Sequence, residues 1–185
     1  MLNAVLLMEL LCRADRRAVA VDLGANVGTL TIPMAKAFAP GKIIAFEPVP
    51  RTASDLEVNL GLNDGLQVDV RRVACSATPG RGTMYDISEA NPGIAKLRPQ
   101  GRGRTPITTL DRELANQRVA LIKMDIEGHE PEALLGAQEV IERSRPLILC
   151  ECLPHVESRT KDILAAFGYE SVQVMRGDWL FYQPG

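Results

Sequence analysis

Short apolar runs separated by stretches of helical period dominate this chain. Residues 18–21, 42–46, 119–124 and 146–150 are, apart from Lys42 and Lys123, apolar at successive rather than alternate positions, the pattern of strands buried on both faces of a parallel sheet. Residues 67–75 read as a further strand. Between these runs, residues 29–38 carry a helical pattern closed by Pro40-Gly41, and Pro50 opens a second helix that sets Leu56 and Leu60 on one side before Asn63-Asp64-Gly65. Pro131 opens a third, with Leu134, Ala137 and Ile141 as its inward stripe. A last helix over 158–167 stops at Gly168, and strands over 170–175 and 179–182 flank Arg176-Gly177-Asp178 as a hairpin. The pattern predicts an α/β fold over 1–185 as a single domain: a mostly parallel seven-stranded sheet, helices on both faces, and a C-terminal antiparallel hairpin.

Two segments stand outside this alternation. Residues 1–17 are expected to hold an N-terminal helix, apolar over 2–11 except at Asn3 and Glu9. It lacks the basic flank and small-residue cleavage site of a signal peptide and is too short to span a bilayer, so its apolar side is expected to pack on the sheet or cover a ligand. Residues 79–106 are rich in Gly and Pro, and Arg81, Lys96, Arg98, Arg102 and Arg104 outnumber Asp86 and Glu89. That stretch reads either as a solvated loop or as a substrate-side insertion favouring an anionic acceptor, such as a phosphorylated or carboxylated sugar.

Candidate chemistry begins at Val21-Asp22-Leu23-Gly24-Ala25-Asn26-Val27-Gly28. A strand, a glycine turn, a helix and a second strand ending in Glu47 is the layout of a Rossmann-like nucleoside-cofactor site. Gly24 and Gly28 permit a tight turn and close ligand approach, and Asn26, in place of a middle glycine, tolerates a left-handed backbone. Glu47 is placed to accept both hydroxyl hydrogens of a ribose. The Asn26 side chain crowds a pyrophosphate; S-adenosyl-L-methionine has none, and its sulfonium and ammonium suit an acidic neighbour such as Asp22. Ligands of open parallel sheets bind at the carboxyl ends of strands, so Asp22, Glu47, Asp125 and Glu151 are expected on one rim.

Charge and cysteine usage narrow the classes. A net charge of −2 gives no field favouring nucleic acid, and Tyr85 is the only aromatic residue in the basic stretch that could stack a base. Neither a nucleic-acid nor a membrane partner is expected. Cys12, Cys75, Cys150 and Cys152 have neither zinc-site spacing nor disulfide density. They read as reduced core thiols of a cytoplasmic protein, with Cys150 and Cys152 expected on opposite strand faces.

The glycine loop, Phe46-Glu47-Pro48-Val49-Pro50, Ile107-Thr108-Thr109-Leu110-Asp111 and Ile122-Lys123-Met124-Asp125-Ile126-Glu127-Gly128-His129-Glu130 together resemble the FkbM family of S-adenosylmethionine-dependent methyltransferases, over residues 18–151. The resemblance implies a class I methyltransferase fold and methyl transfer to an oxygen of a small molecule or sugar. Many class I enzymes place an acidic residue after the third strand to bind the adenine amine; Ala74-Cys75-Ser76 offers none, leaving that contact to Ser76 or backbone groups. The expected cofactor site is therefore Asp22, Gly24, Ala25, Asn26, Gly28, Glu47, Ser76 and Asp125.

A hydroxyl acceptor needs a base or a metal ion. Asp125, Glu127 and His129 are the catalytic candidates, His129 having a structural hydrogen bond at a helix start as its alternative role. Asp125 and Glu127 with Glu151 also form a candidate oxygen set for Mg²⁺. Asp125-Ile126-Glu127-Gly128 stands where enzymes of exocyclic base nitrogens resemble one another in an Asn/Asp-Pro-Pro-aromatic run, which disfavours DNA amino-methylation. The rival readings are a non-catalytic S-adenosylmethionine-binding or scaffold protein of the same fold, and a nicotinamide-dependent reductase. Against the reductase stand the missing central glycine and the lack of a Tyr-x-x-x-Lys pair.

Overall fold

The computed structural model describes residues 4–85, 95–99, 101 and 103–184. In chain order these form α1 (Ala4–Arg13), β1 (Val19–Leu23), α2 (Thr31–Phe38), β2 (Lys42–Phe46), α3 (Pro50–Gly61), β3 (Val68–Arg71) and β4 (Ala74–Cys75). Next come β5 (Gly80–Tyr85), β6 (Lys96–Pro99), β7 (Thr105–Thr108), α4 (Leu110–Glu113), β8 (Val119–Met124), α5 (Glu130–Leu135) and α6 (Gln138–Ser144). The chain ends with β9 (Leu147–Glu151), α7 (Glu157–Ala166), β10 (Glu170–Met175) and β11 (Asp178–Tyr182).

The continuous apolar runs become the centre of a seven-stranded sheet in the order β10-β11-β9-β8-β1-β2-β3. β1 pairs in parallel with both β2 and β8, and β11 runs antiparallel between β9 and β10 as the expected hairpin. Successive side chains alternate across the sheet, and both sides are covered. Ala20, Ile43, Leu121 and Leu149 pack with Leu7 and Leu11 of α1 and Met34 and Phe38 of α2. Val21, Ile44, Ile122 and Ile148 pack on the opposite side with Leu134, Ile141 and Leu164 of α5, α6 and α7. The described part of the N-terminal segment holds α1, which ends at Arg13, and Leu7 and Leu11, one turn apart, are its fully buried residues. Among the described residues no helix is long and apolar enough to cross a membrane.

The structure departs from the sequence pattern in three places. The expected third strand divides: β3 stays beside β2, while β4 leaves for a second, four-stranded sheet ordered β4-β7-β5-β6. The Gly- and Pro-rich stretch supplies β5, β6 and the start of β7 to that sheet, so these described residues form strands rather than a solvated loop; Asp86, Glu89 and Arg102 lie outside the described residues. The expected long helix after Pro131 breaks between α5 and α6 at Gly136. A Cβ there would lie 2.1 Å from the Ser76 carbonyl oxygen, so the backbone itself fills the space a helical side chain would need. Asp111 secures the break: its N–H donates to Gly136 O (2.9 Å) and its Oδ1 accepts from Val140 N–H (2.9 Å) in the first turn of α6. Cys150 and Cys152, two residues apart, lie on the same side and not on opposite ones, with Sγ atoms 3.4 Å apart, as the two-residue period of extended chain dictates.

Gly136→Ala is expected to destabilise the fold by about 1–3 kcal/mol, the usual cost of forcing extra volume into a filled site. Urea unfolding checks it, and an unchanged midpoint would show that the Ser76 backbone yields freely.

Candidate functional site

β2 lies on one side of β1 and β8 on the other, so the connections leaving β1 and β8 open a crevice at the carboxyl ends of the strands. A cavity of about 440 Å³ occupies it, within the roughly 300–1,000 Å³ typical of small-molecule sites.

The glycine loop forms the floor. Gly24 (φ +79°) lies so close to the segment after β8 that a Cβ would sit 1.9 Å from Asp125 O, and Asn26 (φ 51°) takes the left-handed conformation its sequence position called for. Gly24 and Ala25 N–H both donate to Phe46 O (3.1 Å), fixing the loop to the end of β2. Glu47 follows directly. Its Oε2 accepts from Asn26 N–H (3.0 Å) and its Oε1 from Val49 N–H (2.9 Å), so the carboxylate is aimed by two backbone donors. Burial raises the Glu47 pKa, against the pull of those two donors.

Under the floor is a buried ion pair. Asp22 and Lys123 are direct register partners on β1 and β8, and the Lys123 ammonium lies 2.9 Å from Asp22 Oδ1. Thr31 donates its hydroxyl to Asp22 Oδ2 (2.6 Å), and Lys123 also donates to the carbonyls of Gly24 (2.9 Å) and Leu23 (3.3 Å). Burial acts to lower the Lys123 pKa, but the charges of Asp22, Asp125 and Glu151 outweigh it and keep the ammonium protonated.

The far wall is the Asp125–Glu130 turn. Asp125 is hydrogen-bonded to Glu151, and burial, with Glu151 and Asp22 opposing Lys123, lifts its carboxyl to about 6. Glu127 is held at φ 58°, its pKa raised by burial and by Asp125. Glu130 shapes the turn by accepting at Oε1 from Ile126 N–H (3.0 Å) and Gly128 N–H (3.2 Å); complete burial raises its pKa to about 7. His129 Nε2 is 3.0 Å from Ser76 Oγ, and burial lowers the imidazole pKa, so the ring is neutral near pH 7.

Of the residues expected at the site, Gly24, Ala25, Asn26, Glu47, Asp125, Glu127 and His129 line the cavity. Asp22 does not: it is wholly buried beneath the loop and reaches the cavity only through Lys123. Gly28 and Ser76 also lie off the wall, Ser76 behind Ala74 and Cys75. The Mg²⁺ expectation is corrected, since no group of three or more His, Cys, Asp or Glu among the described residues is arranged to hold a metal ion. Asp125 is turned to Glu151 instead, with the Lys123 charge beside it. Sequence reasoning missed Lys123, whose signal was a lone charge in an apolar strand. It also missed the apolar part of the wall, including Leu30, Pro33, Met84 and Leu97.

A family profile described as Methyltransferase FkbM domain matches residues 22–171. Methyltransferase sdnD of Sordaria araneosa is 32% identical over 112 residues, covering 58% of this chain and 43% of that protein. Methyltransferase 1 of Beauveria bassiana is 27% identical over 144 residues, covering 64% and 58%. The chain thus spans about half the length of these relatives. Among solved structures, a Methyltransferase FkbM from Methylobacillus flagellatus superposes with a TM-score of 0.65 at 19% identity, over 90% of this chain and 44% of that one. Magnesium protoporphyrin IX methyltransferase from Synechocystis, solved with bound S-adenosylmethionine, gives 0.57 at 13% identity over 97% and 77%. At these identities the superpositions establish the Rossmann-like methyltransferase fold.

Two outcomes are expected from the buried charges. Lys123→Met strands the Asp22 carboxylate and should cost about 3–5 kcal/mol in denaturant unfolding, with Lys123→Met/Asp22→Asn recovering much of the loss; a single variant as stable as the parent would contradict the pairing. Glu130 binds its proton more tightly folded than unfolded between its ordinary 4.5 and about 7, so its contribution to stability is full below that window and lost as pH rises through it. Glu130→Gln, which keeps the acceptor oxygen, should therefore gain on the parent by up to roughly 3 kcal/mol as pH rises from about 5 to about 7.5. Parallel stability curves for the two proteins would count against it.

Proposed function

Since the chain belongs to the FkbM methyltransferase family, we propose that it binds S-adenosyl-L-methionine in this cavity and methylates a hydroxyl oxygen of a small-molecule acceptor. The observation that carries the reading is the convergence of the glycine loop, the doubly anchored Glu47 and the Asp125–Glu127 turn on one cavity at the sheet's switch point. The donor set fits the cofactor: carboxylates of Glu47, Asp125 and Glu127 line the cavity, while Lys123, its one cation among the described residues, is neutralised by Asp22. A cationic sulfonium is favoured in such surroundings and a pyrophosphate is not.

Each residue then has a role within the proposal. Glu47 accepts from the ribose hydroxyls. Gly24, Ala25 and Asn26 allow backbone approach, Gly28 closes the turn, and Asp22 holds that loop through Lys123. Bound S-adenosylmethionine supplies an already activated methyl group, leaving the protein to align the acceptor and take its proton. Asp125, with a pKa of about 6 and a carboxyl partner in Glu151, is the group we assign to that proton, with Glu127 positioning the hydroxyl. The contact between His129 and Ser76 favours a supporting role for both, at the edge where the adenine would lie. All four cysteines are free thiols, which supports a cytoplasmic setting.

Calorimetric titration with S-adenosylmethionine, S-adenosylhomocysteine and NADH tests the reading: binding of the first two alone is expected, and binding of NADH alone would overturn it. Glu47→Ala should weaken S-adenosylmethionine binding by about 1.5–3 kcal/mol, the range for a lost charged hydrogen-bond partner. An unchanged dissociation constant would remove Glu47 from the ribose contact.

A further inference from the structure

The glycine loop, Glu47 and the Val73–Ala74–Cys75 edge account for the cofactor's share of the cavity. Beyond these, Lys123, the Asp125–Glu127 turn and His129, the described wall includes Ala4 at the start of α1, Thr29, Leu30 and Pro33 around the start of α2, Ala95, and Met84 and Leu97 on the hairpin of β5 and β6.

Strand register decides which face of that hairpin meets the cavity. Met84 and Leu97 are cross-strand partners, and both line the cavity. The flanking pairs, Thr83 with Arg98 and Tyr85 with Lys96, belong to the other face by the two-residue period. On that face the Arg98 guanidinium stacks on the Tyr85 ring at 4.8 Å. Arg81 is committed to the backbone leading into β7, donating to Gly103 O (2.9 Å) and Arg104 O (3.1 Å). Lys96 acts electrostatically on Glu127 but is not part of the cavity wall. Of the basic residues that pointed to an anionic acceptor, Arg81 and Arg98 therefore lie on the hairpin face turned away from the cavity, and the inner pair of Met84 and Leu97 is apolar. A phosphate or carboxylate set against Met84 and Leu97 would lose its hydration, with no cation among the described residues of that hairpin face to receive it.

We infer, resting on the cofactor reading above, that the acceptor is a small molecule with an apolar body seated against Met84 and Leu97, its hydroxyl turned toward the Asp125–Glu127 turn, and not a phosphorylated or carboxylated sugar. Apolar contact then supplies affinity, and the carboxyl groups at the turn supply orientation.

The test uses protein saturated with S-adenosylhomocysteine, probed by saturation-transfer NMR with 2-naphthol and with glucose 6-phosphate. Binding of 2-naphthol alone is expected, weakened at least about tenfold by Met84→Asp and by Leu97→Asp, since each would bury a carboxylate against the ring. Calorimetric affinity for S-adenosylhomocysteine should stay within about twofold in both variants, showing that the fold and cofactor site survive. Binding of glucose 6-phosphate in place of naphthol, binding of neither, or naphthol binding indifferent to both substitutions would overturn the inference. Failure of the parent to bind S-adenosylhomocysteine would instead bring down the cofactor reading, and the inference with it.

Discussion

The ion pair between Asp22 and Lys123 is the contact on which the site's geometry depends. Two charges taken out of water are tolerated when they pair and their remaining polar atoms are bonded: here Asp22 Oδ1 lies in ion-pair range of the ammonium, Thr31 donates to Oδ2, and the Leu23 and Gly24 carbonyls accept from Lys123. One cluster thereby links β1, β8, the glycine loop and α2. The cavity floor and the turn after β8 are positioned by a single set of buried bonds.

Around that cluster the rim is acidic, and its carboxyls are kept from repelling one another by different means. Glu47 is held by backbone donors, Glu130 by the turn it shapes, and Asp125 by its hydrogen bond to Glu151 beside the Lys123 charge. Burial raises all three pKa values, so protons are retained here to higher pH than on exposed carboxyls. A molecule entering this rim meets a carboxyl, Asp125, able to exchange a proton near neutral pH.

Much of this was legible in the sequence where the cause is local. β2, β8 and β10 have the bounds their patterns predict, and the left-handed Asn26 follows from its residue type. What escaped depends on partners distant in the chain. The role of Lys123 needs the register that sets it opposite Asp22. The interruption at Gly136 is imposed by the Ser76 backbone, about which the helical pattern carries no information. The second sheet hid in a stretch whose Gly and Pro content mimics a loop, and the direction of its basic side chains emerges only once Met84 is paired with Leu97.

The near-contact of Gly24 with Asp125 O leaves position 24 no room for even a methyl group. Floor and turn meet there backbone to backbone, so a side chain at position 24 is excluded whatever residue follows β8. Met84 and Leu97 touch the same cavity from a separate hairpin outside that junction. Under the reading proposed above, the cofactor half of the cavity is thus shaped by main-chain geometry and the hairpin half by side chains, so a substitution can reshape the second while leaving the first in place.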